Sequence, residues 1–141
     1  MFNIFKDKKE KKLNDDDQYI KSAALLIHAA KIDENYSNQE DKIIKETMLE
    51  MGAKKENLEK IIKSAKEIEN NTNQILDFTR KVKNMNTKKK FMIVESLWRI
   101  IYSNKDADIY ETNLMRRLAG LLYIDNKIMG DIKEKIKKEN S

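Results

Sequence analysis

The chain has no cysteine, no proline, three glycines and one histidine among its 141 residues. Without cysteine, disulfides, thiol catalysis and Cys-ligated zinc are excluded. The lone His28, inside the apolar stretch AALLIHAA, cannot build a multi-histidine metal site. A Ser–His–Asp constellation would need it exposed beside a nucleophile, so a partly buried, hydrogen-bonded structural histidine is the expectation. The absence of proline and the scarcity of glycine leave too few breaks for an all-β fold, which needs a turn roughly every 8–12 residues. No apolar run approaches the roughly 18 residues of a membrane span. The opening MFNIFKDKKEKK has one short apolar cluster and no small-residue cleavage site, so it does not read as a secretory signal. A cytoplasmic protein is the expectation.

What is present is helix-forming. Hydrophobic residues make up 40% of the chain and charged residues 38%, enough apolar content to build a core and outweigh a disordered reading. Leu, Ile, Lys, Glu and Met dominate, and most of these are good helix formers. The length suits one compact domain, so the expected class is all-α. The net charge of +5 invites a nucleic-acid reading until it is located. Residues 1–12 hold five lysines against Asp7 and Glu10, and residues 127–141 hold five against Asp131, Glu134 and Glu139. The two ends thus carry the whole excess. Residues 13–126 are neutral, without the net basic excess a nucleic-acid footprint on the folded body would need, and no nucleic-acid partner is expected.

Residues 1–14 read as a charged leader, expected to be mobile, and residues 15–138 as the helical domain. Phe2, Ile4 and Phe5 beside the leader lysines form one apolar cluster, at most a marginal membrane anchor. A first helix is expected to start after Asp15–Asp17, acids suited to the positive end of a helix dipole. It runs to about Lys31, with Ile20, Ala23, Ala24, Ile27, Ala30 and Lys31 on the inward face and Leu26 widening the stripe. A second opens at Ser37 and ends at Gly52, a left-handed C-cap, burying Ile43, Ile44, Thr47, Met48 and Met51. A third, near residues 55–69, turns Leu58, Ile61, Ile62 and Ala65 inward. A fourth follows Asn70–Thr72 and buries Ile75, Leu76, Phe78, Thr79 and Val82. The fifth, FMIVESLWRIIY, is the most apolar segment and the expected centre, with Trp98 as a core anchor rather than a ligand-stacking ring. A sixth runs from Asp108 to about Leu122. Asp125 caps a seventh, in which Ile128, Met129, Ile132 and Ile136 face inward.

Residues 29–40 (AAKIDENYSNQE) and 100–111 (IIYSNKDADIYE) share one layout seventy-one positions apart. Each ends an apolar helix with Asp33 or Asn104, then places a capping residue, Ser37 or Asp108, and then Glu40 or Glu111. The same shift aligns Leu26 with Leu97, Ile27 with Trp98, Ala30 with Ile101 and Ile44 with Met115. The pattern predicts a single-domain bundle of about seven helices built from two pseudo-symmetric helix–loop–helix units. Asp33, Asn35 and Ser37, like Asn104, Asp106 and Asp108, alternate oxygen side chains as an EF-hand loop begins. That loop also needs Gly at its sixth position and Glu at its twelfth. Asn38 and Ile109, then Ile44 and Met115, occupy them, so the EF-hand reading fails. Two readings stay open. Asp33 with Glu40, and Asp108 with Glu111, could hold a divalent cation with backbone carbonyls. Alternatively Ser37 and Asp108 are N-caps, with Glu40 and Glu111 as capping-box partners worth about 0.5–2 kcal/mol. Arg116 and Arg117 are near enough in sequence to pair with these acids, which would weaken any cation site.

An apolar helix ending in A-D-G-x-I-x-x-x-E, found twice across seven helices, resembles the TerB-like family. That group includes tellurite-resistance TerB and the N-terminal domain of DjlA-type co-chaperones. The stretch SLWRIIYSNKDADIYETNLMRRLAGLLYI is especially similar to a bacterial TerB-like branch, and the likeness covers about residues 16–136. The resemblance implies an all-α bundle with internal pseudo-symmetry, a setting in stress response or membrane-linked complexes, acidic loops able to bind metal ions, and no established enzymatic activity. The chain departs from the family pattern where Glu34 and Lys105 replace loop glycines and Asn104 replaces the second aspartate. Ile32 and Ser103 stand for alanines, and Tyr123 sits where the family often has a helix-ending glycine. The expectation is a non-enzymatic module that acts through a protein partner and carries no cofactor. The competing expectation is a weak Ca²⁺- or Mg²⁺-binding or sensing protein.

Overall fold

The computed structural model describes the backbone of residues 2–31, 38–71, 75–103 and 109–139, and the side chains of 16–31, 38–71, 75–103 and 113–139. It is an all-α bundle: α1 (Phe2–Ala30), α2 (Asn38–Glu50), α3 (Leu58–Asn71) entered through a 3₁₀ turn at Lys55–Asn57, α4 (Ile75–Lys83), α5 (Thr87–Ser103), α6 (Ile109–Leu121) and α7 (Asn126–Glu139). Among the described residues there is no strand, and no helix is long and apolar enough to cross a membrane.

α1 begins at Phe2, well before the start that Asp15–Asp17 suggested. The reason is local: the Lys-, Glu- and Leu-bearing segment holds no helix breaker, and extending a formed helix costs far less than nucleating one. α5 starts at Thr87, ahead of the apolar run, because the Asn86 side chain caps it, with Oδ1 accepting from Lys89 N at 2.9 Å. Asp125 caps α7 as expected, its Oδ1 accepting from Lys127 N at 2.9 Å.

Two helices, not one, form the centre. α1 packs against α2, α3, α4 and α5, while α5 packs against α1, α2, α4 and α7. Residues 22–27 of α1 are therefore buried without interruption, where periodicity predicted a stripe. In α5, Ile93, Val94, Ser96, Leu97, Trp98, Ile100 and Ile101 are buried. The shorter helices keep single faces. Leu58, Ile61, Ile62 and Ala65 of α3 are buried as expected. Leu76 is 52% exposed, because Ile75, Phe78, Thr79 and Val82 fill the covered i, i+3, i+4, i+7 stripe of α4 and Leu76 lies one position, about 100°, off it. Ile128 sits beside the Met129, Ile132 and Ile136 stripe of α7 for the same reason and is 39% exposed.

The seventy-one-residue repeat is built into the backbone. α2 and α6 have the same bounds after the shift, and α7 starts where the 3₁₀ turn before α3 does. Both second helices end in the same Schellman cap. Gly52 N donates to Leu49 O at 3.1 Å and Ala53 N to Met48 O at 3.0 Å; the counterparts are Tyr123 N to Gly120 O at 3.3 Å and Ile124 N to Ala119 O at 2.9 Å. The cap residues are Gly52, at φ +112°, and Tyr123, at φ +55°. A side chain of the first helix also reaches the end of the second in each half. Tyr19 Oη donates to Met51 O at 3.5 Å, and Lys90 Nζ, seventy-one positions on, to Leu122 O at 2.9 Å. Buried positions repeat too, pairing Leu26 with Leu97, Ile44 with Met115, Leu58 with Met129 and Ile61 with Ile132. α4 falls between the two units and packs on α1 and α6.

Tyr123 adopts the left-handed conformation that the family's glycine would take freely, a cost of about 1–2 kcal/mol for a residue with a Cβ. The Lys83 ammonium lies 4.2 Å from its ring centroid, a contact that returns about 0.5–1 kcal/mol at an exposed site. Gly52 has no such compensation available, since a Cβ there would stand 3.2 Å from Tyr19 Oη. Gly52→Ala is expected to destabilise the protein by about 1–2 kcal/mol. Chemical denaturation checks this, and an unchanged midpoint would show that the α2 cap contributes little.

Candidate functional site

Of the four candidate cation ligands, Asp33 and Asp108 lie outside the described residues, as does the side chain of Glu111. Glu40, in the first turn of α2, is fully buried. Among the described residues no three acidic or histidine side chains gather as a metal centre would require. The Ser37 and Asp108 caps fall in the same undescribed loops. Arg116 and Arg117 are exposed on α6.

The other polar groups singled out in the sequence hold helices together. His28 Nδ1 lies 3.4 Å from Glu69 Oε1, and Lys31 Nζ donates to Glu69 Oε2 at 2.6 Å, tying α1 and its end to α3. Thr47 Oγ1 donates to Ile43 O at 2.7 Å and lies 2.6 Å from Ser96 Oγ, joining α2 to α5 inside the core. Ser22 Oγ donates to Met85 Sδ at 3.5 Å.

A concave feature appears where α5, α6 and α7 converge: a cleft of about 230 Å³ whose lining includes Trp98, Met115, Ala119, Met129 and Gly130, with Arg116 and Lys133 contributing charge. Trp98 is 3% exposed and stacks on Tyr102 with ring centroids 5.9 Å apart. Burial pushes the Tyr102 phenol pKa up, with Glu134 adding to the shift. Lys133 Nζ lies 5.5 Å from the Trp98 ring centroid. Among the described residues no acid pairs with Arg116 or Lys133. On the adjoining α5–α7 face Glu95 and Glu139 are engaged in ion pairs. Arg99 bonds Glu139 through Nε and Nη2, each at 3.2 Å, and Lys135 pairs with Glu95 at 3.2 Å. The hydrogen bond from Arg99 holds the Glu139 carboxyl below its ordinary pKa.

Position for position, the first half has Ile27 for Trp98, Met48 for Ala119, Glu59 for Gly130 and Lys45 for Arg116. There Met48 is fully buried and Glu59 reaches Lys45 at 3.2 Å. Hydrogen bonds that Lys45 donates to Asp41 and Glu59 raise its pKa. In the second half the larger Trp98 stands beside the smaller Ala119, Gly130 carries no carboxylate, and a Cβ at Gly130 would meet nothing within 4 Å. A sequence signal for the cleft existed in the small residues Ala119 and Gly130 opposite larger ones in the repeat, but it has meaning only once α6 and α7 are known to face Trp98.

A family model described as Tellurite resistance protein TerB matches residues 19–134. The chain belongs to the TerB family. The match spans both helix–loop–helix units and α4 between them, so the duplicated bundle is the TerB fold unit of this chain. Neither the curated proteins nor the solved structures contain a match. The TerB resemblance carried by SLWRIIYSNKDADIYE and the residues after it is therefore established at the level of the family.

Proposed function

We propose that this TerB-family domain is a non-enzymatic module that works by contact with a protein partner, in a stress-response or membrane-linked complex. The observation that carries the reading is the α5–α6–α7 cleft, an apolar concavity lined by Trp98, Met115, Ala119 and Met129 with Arg116 and Lys133 at its edge. An apolar concavity edged by two cations that no acid pairs with among the described residues suits contact with another molecule. The inter-helix bonds of Thr47, Ser96, Ser22 and His28 support the non-enzymatic part: these groups are committed to packing. Affinity capture from the native cell with mass-spectrometric identification tests it. Recovery of no specific partner by the intact protein would sink the reading.

A second reading is a weak divalent-cation site at the first interhelical loop, where Glu40, buried in the first turn of α2, follows the acidic pair Asp33 and Glu34 in sequence. The first loop, with Asp33, Glu34 and Glu40, carries more negative charge than the second, where Asn104 and Lys105 replace an aspartate and a glycine. Titration with Ca²⁺ and Mg²⁺, followed by amide shifts, is expected to give dissociation constants no tighter than about 10⁻⁴–10⁻³ M, centred on residues 33–40. Micromolar binding centred on residues 104–111 would reverse that ranking.

A further inference from the structure

We infer that the corner of the bundle where α4 gives way to α5, together with the N-terminal stretch of α1, docks on the surface of an anionic lipid bilayer. The inference rests neither on the α5–α6–α7 cleft nor on a protein partner.

The neutral stretch 13–126 is not evenly charged. Between Asp77 and Glu95 lie Arg80, Lys81, Lys83, Lys88, Lys89 and Lys90, with no acid among them. α4 ends and α5 begins inside this stretch, so the fold gathers it into one basic corner. Lys81 pairs with Asp17 of α1 at 3.0 Å, and Lys90 Nζ donates to Leu122 O at 2.9 Å. Lys83, Lys88 and Lys89 make no ion pair among the described residues. Lys83 lies instead over the ring of Tyr123, and Asp125 is turned to the start of α7 as its cap. Tyr123 is 75% exposed and holds φ +55°, a conformation that glycine would take without strain. Strain of this kind gathers at functional surfaces. A tyrosine, with its apolar ring and polar tip, suits the boundary between lipid and water.

α1 brings the second element to the same corner. Lys21 pairs with Asp77 and Asp17 with Lys81, so α1 and α4 run antiparallel. Residues 2–13 of α1 therefore continue past the last turn of α4, over about 18 Å at the helical rise of about 1.5 Å per residue. They contribute Lys6, Lys8, Lys9, Lys11 and Lys12 against Asp7 and Glu10, and they open with Phe2, Ile4 and Phe5. The intervening Asp15, Asp16 and Asp17 cancel part of this charge, and Asp17 is itself held by Lys81. The apolar cluster favours lipid over nucleic acid. A phosphate backbone gains nothing from Phe2, Ile4 and Phe5, whereas a bilayer buries such residues at the headgroup boundary. One short apolar cluster anchors only marginally, and stable attachment takes a second signal such as a polybasic patch. The α4–α5 corner supplies it.

Sedimentation of the full chain with vesicles tests the inference. Vesicles of phosphatidylcholine alone are compared with an equimolar mixture of phosphatidylcholine and phosphatidylglycerol. The expected result is binding to the anionic vesicles that is roughly tenfold weaker on phosphatidylcholine alone and falls as ionic strength rises. Lys88→Gln combined with Lys89→Gln, and Phe2→Ser combined with Phe5→Ser, are each expected to weaken binding roughly tenfold at an unchanged thermal midpoint. Tyr123→Gly, which relieves the strain, is expected to keep or raise the midpoint and still weaken binding severalfold. Equal binding to both kinds of vesicle, binding to neither, or undiminished binding by any of the three variants would overturn the inference. So would salt-sensitive binding of a single-stranded oligonucleotide with none to the vesicles, which would make the corner a nucleic-acid surface. The assay contains no protein but this chain, so its failure leaves the partner reading standing.

Discussion

Replacing Trp98 with alanine is expected to lower the unfolding free energy by about 3–5 kcal/mol, the range for truncating a large buried aromatic. That is a large share of the 5–15 kcal/mol that holds a typical domain together. The indole is 3% exposed, stacks on Tyr102 and lies beneath the Lys133 ammonium, so truncation removes both contacts along with the buried ring. Its Nε1 has no hydrogen-bond partner among the described residues. A buried donor without a partner is a standing cost of about 1–3 kcal/mol, so Trp98→Phe removes a penalty along with part of the ring. The phenylalanine variant is therefore expected to lose much less than the alanine one. Thermal or urea unfolding reads both. Equal losses in the two variants would mean that Nε1 makes a bond worth keeping, and no loss in Trp98→Ala would place the indole outside the core.

The second large effect concerns the two central helices. Leu26 of α1 and Leu97 of α5 occupy equivalent repeat positions, and both are fully buried. Truncating either to alanine is expected to cost about 2–5 kcal/mol, through lost transfer energy and the cavity left behind. Because α1 and α5 pack on each other, neither repeat has a closed core of its own. Both variants should unfold in one transition seen alike by Trp98 fluorescence and by helical circular dichroism. A fluorescence transition separated from the circular dichroism one in Leu26→Ala would show that the second repeat folds without the first, and that the duplication remains two units energetically.

The helix inventory was readable because it depends on local chemistry. Asp125 and Asn86 fix helix starts through their own side chains, and Gly52 ends α2 because the left-handed region is open to glycine. The duplication was readable for a related reason: caps and apolar faces recur at fixed spacing, and the structure repeats them down to the Schellman hydrogen bonds at Ala53 and Ile124. Tyr123 shows that geometry can outlast the residue best suited to it. The surrounding bundle holds a tyrosine at φ +55° because the tertiary contacts that place α6 and α7 outweigh a local cost of about 1–2 kcal/mol. The candidate site was less readable. Periodicity marks which residues could be covered, yet it does not say what covers them. Leu76 and Leu26 are both apolar helix residues, and one is half exposed while the other is enclosed on all sides.

By itself the sequence determined the all-α class, the seven helices, the seventy-one-residue repeat and membership of the TerB-like group, because each is written in short-range patterns of caps, breakers and apolar spacing. Only the tertiary structure decided that α1 shares the centre with α5, that Glu40 is buried, and that Ala119 and Gly130 open a cleft beside Trp98. Those outcomes depend on which helix faces meet across long sequence separations, and a small side chain borders a cleft only where the neighbouring helices leave space beside it.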